Sequence, residues 1–258
     1  MVDRRGNKIR EMFGQIAPRY DLVNRVLSLS IDRYWRWRTR RRMGSLLPPG
    51  SGPLLDLCTG TGDLAIELSR LGPIVGCDFS HPMLIRAGQK TQRRHLNDAV
   101  SLVEGDALCL PFRDQIFRGL AVAFGFRNME DYAQGLAEMN RVLRTGGTLA
   151  ILEFSEPSAP GFKQLYQWYF RKILPLIGRL ISGQNSAYSY LPESVREFPP
   201  SQELTRLLRN AQFHSVLHRP LSLGIATLTL ARKISPIPAQ SSRSVVSVDE
   251  CSKVSELS

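Results

Sequence analysis

Cysteine is scarce in this chain, with four among 258 residues, no CxxC pair and no metal-ligand spacing. Cys58, Cys77 and Cys109 sit in apolar, strand-like runs and Cys251 in a late polar segment. A reduced cysteine in such a run behaves as a small hydrophobe. A disulfide framework and a cysteine-built metal site are therefore excluded, no metal is expected, and a reducing, cytoplasmic setting is. Histidine is as rare, with four residues. His81 alone lies near a strand end, where it reads as the opening of a helix rather than a base; His95, His214 and His218 suggest no chemistry. Long hydrophobic runs are missing too. No stretch of 18 uncharged apolar residues occurs, so no segment reads as membrane-spanning. The charged start has no apolar core of the kind a secretory leader needs. Acid is in deficit, 23 Asp and Glu against 34 Lys and Arg, a net charge of +11.

That charge is uneven. Residues 1–43 hold 12 Lys and Arg against four acids, so +8 of the +11 lies in one terminal segment. An anionic partner is implied, either phospholipid headgroups or nucleic acid, unless the segment is simply a solvated helix face. What remains is ordinary: 43% hydrophobic and 22% charged residues, enough to bury one sizeable α/β core.

Residues 1–47 read as a helical cap, with Ser30 or Asp32 capping a helix that carries Tyr34, Trp35 and a basic face to Arg42. A Pro/Gly-rich linker follows. Strands are then expected at 53–59, 74–77, 100–104, 120–124 and 148–154, alternating with helices at 63–71, 82–94 and 132–143. Alternation of this kind implies a parallel sheet with helices on both faces, and ligands bind such sheets outside the carboxyl ends of the strands. Residues 155–200 break the pattern with aromatic and basic residues and read as an insertion over the site, inside a domain spanning 48–233. A helix at 203–211 and a strand pair at 215–219 and 227–231 close it, and residues 234–258 read as a disordered tail.

The most informative stretch is LDLCTGTGD at 55–63. A glycine turn between strand and helix lets backbone amides approach a ligand closely. Gly60, Gly62 and Ala65 satisfy GxGxx(G/A), so a dinucleotide must be considered. Two carboxylates argue against it. Asp63 opens the next helix, where a pyrophosphate would meet its charge at a cost of roughly 4 kcal/mol at 4 Å. Asp56 precedes the glycines, within reach of a cationic group. S-adenosylmethionine has no phosphate, a positive sulfonium and an amino group in need of an acceptor, and it suits these acids. Asp78, 22 residues beyond Asp56, is placed for ribose hydroxyls; Asp106 is placed for the adenine amine while the Ala107 amide donates to the ring.

LDLCTGTGD at 55–63, CDFS at 77–80 and PML at 82–84 resemble the class I methyltransferases generally. AFGFRNM at 123–129, YSYLPESVREFP at 188–199 and MFGQIAPRYDLVN at 12–24 are narrower, and resemble the ubiquinone/menaquinone biosynthesis C-methyltransferases. The likeness covers roughly residues 8–233. It implies a Rossmann-like, seven-stranded, mostly parallel sheet, S-adenosylmethionine as cofactor, and contacts from Thr61, Asp78, Asp106 and Ala107. Asp56, Gly60, Gly62 and Ala123 are further candidate cofactor-binding residues, in the domain that follows the N-terminal helical cap. The acceptor it implies is a prenylated quinol, demethylmenaquinol or 2-methoxy-6-polyprenyl-1,4-benzoquinol. Three departures stand out: Arg118 where the family usually has Asp, Phe126 where it has Leu or Ile, and the tail after Lys233. Phe126 neighbours the expected catalytic pair and could reshape the ring pocket.

Methylating a ring carbon requires an electron-rich ring, which an ionised ortho hydroxyl supplies; the acceptor is then the reduced quinol. A phenol titrates near pH 10 unperturbed, so the site must favour its anion. Arg127 stays protonated and cannot be a base, but it can stabilise a phenolate, and Asn128 can orient a hydroxyl or water. The competing reading of Arg127 is a structural ion pair. Tyr20, Tyr188 and Tyr190 are candidate lid residues over the ring. Residues 162–181 mix aromatic, aliphatic and basic side chains as a membrane-interface face would, and the basic N-terminus could add headgroup attraction. Another small-molecule acceptor, RNA, and a non-catalytic nucleoside-binding protein are the rival readings. No base-flipping motif or RNA-binding module supports RNA, so no nucleic-acid partner is expected. Oligomeric state has no signal.

Overall fold

The computed structural model describes residues 8–10, 12, 14, 17, 21, 25, 28, 30–50, 52–155, 157, 164, 190 and 193–234. Tyr20, Tyr188, most of the cap before residue 30, most of the 155–200 insertion and the tail from 235 lie outside the described residues.

Seven strands form one sheet in the order β3-β2-β1-β4-β5-β7-β6. β1 (Leu54–Leu57), β2 (Ile74–Asp78), β3 (Val100–Glu104), β4 (Phe117–Ala123) and β5 (Leu143–Phe154) run parallel. β7 (Ala226–Lys233) returns antiparallel beside β5, and β6 (Phe213–Leu221) closes the edge as its hairpin partner. The inner strands read as continuous apolar runs because both faces are covered; all four residues of β1 are buried. The expected seven-stranded, mostly parallel sheet is thus present.

Helices cover both faces. α1 (Ile31–Gly44) and α2 (Asp63–Leu68) lie over one, where Trp35, Met43, Leu64 and Leu68 pack on Leu54, Ala121, Ala150 and Leu228. α4 (Tyr132–Val142) and α5 (Ser201–Asn210) lie over the other, where Leu136, Met139, Leu204 and Leu208 meet Leu55, Leu120 and Leu149. α3 (His81–Arg93) packs beside β2 and β3. Ser30 stands at the N-cap of α1 but makes no side-chain cap there, being held at φ +60. Asp32 does not cap the helix either; it accepts from Ser28 Oγ at 2.7 Å and Arg36 at 2.5 Å. α4 does carry the expected kind of cap, with Asp131 accepting from the Ala133 and Gln134 amides.

Several strand boundaries move. β4 starts at Phe117 and ends at Ala123, because Phe124 turns to φ +60 and leaves the strand. β5 starts at Leu143 rather than 148, through an irregular register opposite Phe117 and Gly119. The terminal pair extends to 213–221 and 226–233. Between those two strands the chain passes through Ser222 and Leu223, both with positive φ.

Candidate active site

β1 lies between β2 and β4, and its following helix goes to one side of the sheet while the chain after β4 goes to the other. The carboxyl ends of the strands around this switch point border a cleft of about 870 Å³, open mouth included. Cys58 and Gly60 reach it from the turn after β1, Asp78, Phe79 and Met83 from β2 and α3, and Gly105 to Leu108 from the loop after β3. Ala123 to Gly125 and Asn128 to Glu130 reach it after β4, and Ile9 reaches it from the N-terminal segment.

The glycine turn is shaped for close approach. Gly60 takes φ +56, and a Cβ built there would meet no protein atom within 4 Å, so it would project into the cleft. Gly62 is constrained instead by packing: at φ +82 its added Cβ would lie 3.1 Å from Ala87 Cβ on α3. The Gly60 amide donates to Asp78 Oδ2 at 2.8 Å, and the Ser80 amide donates to Oδ1 at 2.9 Å. Burial raises the Asp78 pKa, an effect opposed by the amides of Ser80, Gly60 and Phe79. Asp106 Oδ1 accepts from the Leu108 amide at 2.9 Å, which folds the loop after β3 over the cleft. Asp78, Asp106 and Glu130 thus border the cleft, and a cation stands near them, since the Arg10 guanidinium lies over the lining ring of Phe79 at 5.5 Å and acts on Asp78.

The acids of the sequence reading separate into two groups. Asp78, Asp106, Ala107, Ala123, Gly60 and Asn128 border the cleft, whereas Asp56, Thr61, Gly62 and Arg127 do not. Asp56 is 1% exposed and accepts from Thr59 Oγ1 at 2.6 Å; burial pushes its pKa up to about 7. Its reach toward a cationic ligand is therefore corrected to a role inside the turn. Thr61 donates to Asp21 Oδ1 at 2.6 Å and accepts from Lys90 at 3.0 Å, facing the N-terminal segment. Asp63 is not the bare anion expected at the start of α2. Lys90 binds it at 2.6 Å and Arg36 lies at 3.5 Å; burial alone would raise its pKa, but these cations hold it below the usual range. A pyrophosphate is disfavoured instead by the carboxylates of Asp78, Asp106 and Glu130 bordering the cleft.

Arg127 is turned inward. It pairs with Glu153 at 2.8 Å, with side chains 6% and 2% exposed, and donates to the Phe124 carbonyl. The Arg127 amide donates to the other Glu153 oxygen at 3.0 Å. The same carboxylate therefore holds backbone and side chain of the short helical turn Phe126–Asn128. Asn128, which does border the cleft, accepts from the Tyr190 hydroxyl at 2.9 Å. Phe126 faces away, fully buried and stacked on Tyr132 at 5.1 Å, so its departure from the family fills core rather than reshaping the pocket. His81 opens α3 as expected and pairs with Glu104 at 2.9 Å. Cys109 is exposed, contrary to its apolar sequence context. Glu153 was missed in the sequence, although an acid near the carboxyl end of an otherwise apolar strand is the signal that pointed to Asp78.

Among the described residues no His, Cys, Asp or Glu group is arranged to hold a metal ion, and no helix is long and apolar enough to cross a membrane. The groups present fit S-adenosylmethionine: carboxylate acceptors, the buried Asp78 and the exposed Asp106, a glycine whose missing Cβ leaves room, and apolar Phe79, Met83 and Leu108 for a flat base.

Residues 1–233 match the model of the ubiE/COQ5 methyltransferase family. The demethylmenaquinone methyltransferase of Deinococcus radiodurans is 47% identical over 89% of this chain and 94% of its own. The ubiquinone/menaquinone biosynthesis C-methyltransferase UbiE of Geobacter sulfurreducens is 42% identical over 90% of this chain and 91% of its own. Among solved structures, an S-adenosylmethionine-dependent methyltransferase from Aquifex aeolicus superimposes with a TM-score of 0.60 at 16% identity, covering 83% of this chain and 98% of that one. The [4+2]-cyclase SpnF superimposes with a TM-score of 0.62 at 17% identity, covering 88% and 96%. The last two speak for the fold alone.

Proposed function

The chain belongs to the ubiE/COQ5 methyltransferase family and is an S-adenosylmethionine-dependent methyltransferase, and from that premise we propose that it methylates a ring carbon of a prenylated quinol. The acceptor is demethylmenaquinol or 2-methoxy-6-polyprenyl-1,4-benzoquinol, as the names of the relatives suggest. The observation that carries the cofactor half is the cleft lining: Asp78, Asp106 and Glu130 outweigh the nearby Arg10, which suits a cationic nucleoside better than a phosphate.

In this reading Asp78 accepts from the ribose hydroxyls, and the two amide bonds already on its oxygens fix the carboxylate in place. Asp106 and the Ala107 amide take the base, and Gly60 and Ala123 let the ligand lie against the backbone. Once bound, the cofactor supplies a methyl group made electrophilic by the adjacent sulfonium. The chain's part is alignment, exclusion of water and control of the acceptor's proton. Asn128 and the Tyr190 hydroxyl form the polar pair that orients the acceptor's hydroxyl. Arg127 acts from behind: its charge lies under the Phe124 carbonyl and the Phe126–Asn128 turn, and with Glu153 it fixes where Asn128 points. Asp56, Thr61 and Gly62 hold the glycine turn. Tyr20 and Tyr188 are carried as lid residues and contact with a membrane surface as a means of reaching a lipid acceptor.

Purified chain incubated with methyl-labelled S-adenosylmethionine and a reduced prenylated naphthoquinol, the corresponding benzoquinol, or total RNA tests this. Label in a quinol, and none when the ring is left oxidised, is the expected result. Label in RNA alone rejects the acceptor, and cofactor binding without transfer to any of the three rejects catalysis.

A further inference from the structure

α1 divides its cations between two faces. Asp32, Trp35, Arg36, Thr39, Arg40 and Met43 face the protein. There Arg36 pairs with Asp32 at 2.5 Å and Arg40 with Glu67 at 2.6 Å. The opposite half of the helix carries Arg33, Tyr34, Trp37, Arg41 and Arg42, with the half-buried Arg38 at its margin. It has no acid, and among the described residues none of these arginines has a carboxylate partner. Tyr34 is 46% exposed and lies 5.8 Å from Trp37, over which the Arg41 guanidinium is placed at 5.2 Å. Aromatic rings flanked by unpaired arginines match a bilayer's interface, where phosphates lie beside the first acyl carbons.

The hairpin tip between β6 and β7 extends this surface. Leu223 is 70% exposed and holds φ +59, a conformation leucine rarely adopts, next to Ser222 at φ +46. Ser222 Oγ accepts from Trp35 Nε1 at 2.9 Å, which ties the tip to the first turns of α1. The same Trp35 packs against Phe124 at 6.0 Å, and Phe124 borders the cleft. The surface is thus one helix away from the proposed acceptor end.

We propose that the outward face of α1, together with Leu223, is the surface by which this chain docks on an anionic phospholipid bilayer. Arginine takes the headgroup phosphates in its planar fork, and Tyr34, Trp37 and Leu223 enter the interface. The proposal gives a place to the membrane contact in the functional reading, but its test does not depend on which acceptor is methylated. RNA offers phosphates and stacking bases too. The bilayer is favoured by Leu223, an aliphatic side chain that gains by leaving water and has no base to stack on.

Flotation of the full chain with vesicles of phosphatidylcholine alone, or with one third phosphatidylglycerol, tests the surface directly. The parent should float with the anionic vesicles and release as salt is raised, and it should bind neutral ones weakly. R33Q/R41Q/R42Q should lose at least about tenfold in partition, each arginine near such a surface contributing several-fold. Leu223→Asn, a residue at ease in left-handed backbone, should keep the fold and weaken partition several-fold. Unchanged S-adenosylmethionine binding by calorimetry certifies both variants as folded. A parent that fails to float, variants that float as well as the parent, or a triple variant that loses affinity for RNA and none for vesicles each overturns the proposal. Floating without quinol methylation leaves the surface standing and sinks the functional reading alone.

Discussion

Glu153 and Asp56 are both buried acids next to the cleft, yet their surroundings give them opposite work. Glu153 has a full counter-charge in Arg127 and a backbone amide on its second oxygen. Removing one member of such a pair leaves the other charged in a medium that solvates it poorly, at a cost of about 3–5 kcal/mol. Glu153→Gln keeps the shape and loses the charge. Its kcat should fall at least about tenfold while the affinity for S-adenosylmethionine stays within about twofold, since Asp78 and Asp106 do not touch the pair. Steady-state kinetics alongside calorimetry reads the split, and an unchanged kcat would remove Glu153 from positioning Asn128. Asp56 has no counter-charge within hydrogen-bond reach, only the Thr59 hydroxyl and the Ala65 amide. Folded, it keeps its proton up to about pH 7, whereas the unfolded chain releases it near 3.8. The folded state therefore binds more protons between those values, so this group's contribution to stability is present below pH 4 and is lost as pH rises to about 7. Between pH 5 and pH 8, Asp56→Asn should lose less Tm than the parent. Equal losses would contradict the assignment. At this scale the sequence disclosed which residue types matter and not which way they face. Asp78 and Arg127 both follow apolar strands within motifs of equal clarity, but only one borders the cleft. The difference is Glu153, 26 residues further on in β5, which no local pattern links to Arg127.

Among the elements, β3 and the start of α4 were legible to the residue, and the Asp131 cap accounts for the latter. β5 was read five residues short, because Gly146 and Gly147 look like a turn while the sheet carries the chain through them. β4 was offset because its first partners are Pro53 and Leu143, distant in sequence. There the departure Arg118 has its explanation: it donates through Nε to the Gly52 carbonyl at 3.0 Å and through Nη2 to the Leu71 carbonyl, joining two loops that an aspartate could not join in this way. The turn after β4 has little room. A Cβ on Gly125 would lie 2.4 Å from Cys58 Cβ, the neighbouring residue of the glycine turn. Gly125→Ala must push the two cleft walls apart. We expect a Tm lower by several degrees and cofactor binding weakened at least about tenfold, from overpacking of about 1–3 kcal/mol. Thermal melts and calorimetry check both, and a variant with the parent's affinity would show that the two turns move independently.

At the scale of the whole molecule, the alternation of strands and helices was enough to predict a parallel sheet and to place a ligand at its carboxyl edge. The reversal of strand order between β1 and β4 is what opens a cleft there. The sign of the cleft could not be read from overall charge. A chain of net charge +11 sets six arginines on α1, where Arg36 and Arg40 pair with Asp32, Asp63 and Glu67, and places carboxylates along the cleft. The N-terminal segment takes part in this arrangement, since Ile9 borders the cleft and Asp21 binds Lys90 at 2.7 Å. Calorimetric titration of the purified chain with S-adenosylmethionine and, separately, with a nicotinamide dinucleotide tests the acidic cleft most directly. The account predicts saturable binding of the methyl donor, its loss in Asp78→Ala, and no heat from the dinucleotide. Tight binding of the dinucleotide with none of the methyl donor would contradict it.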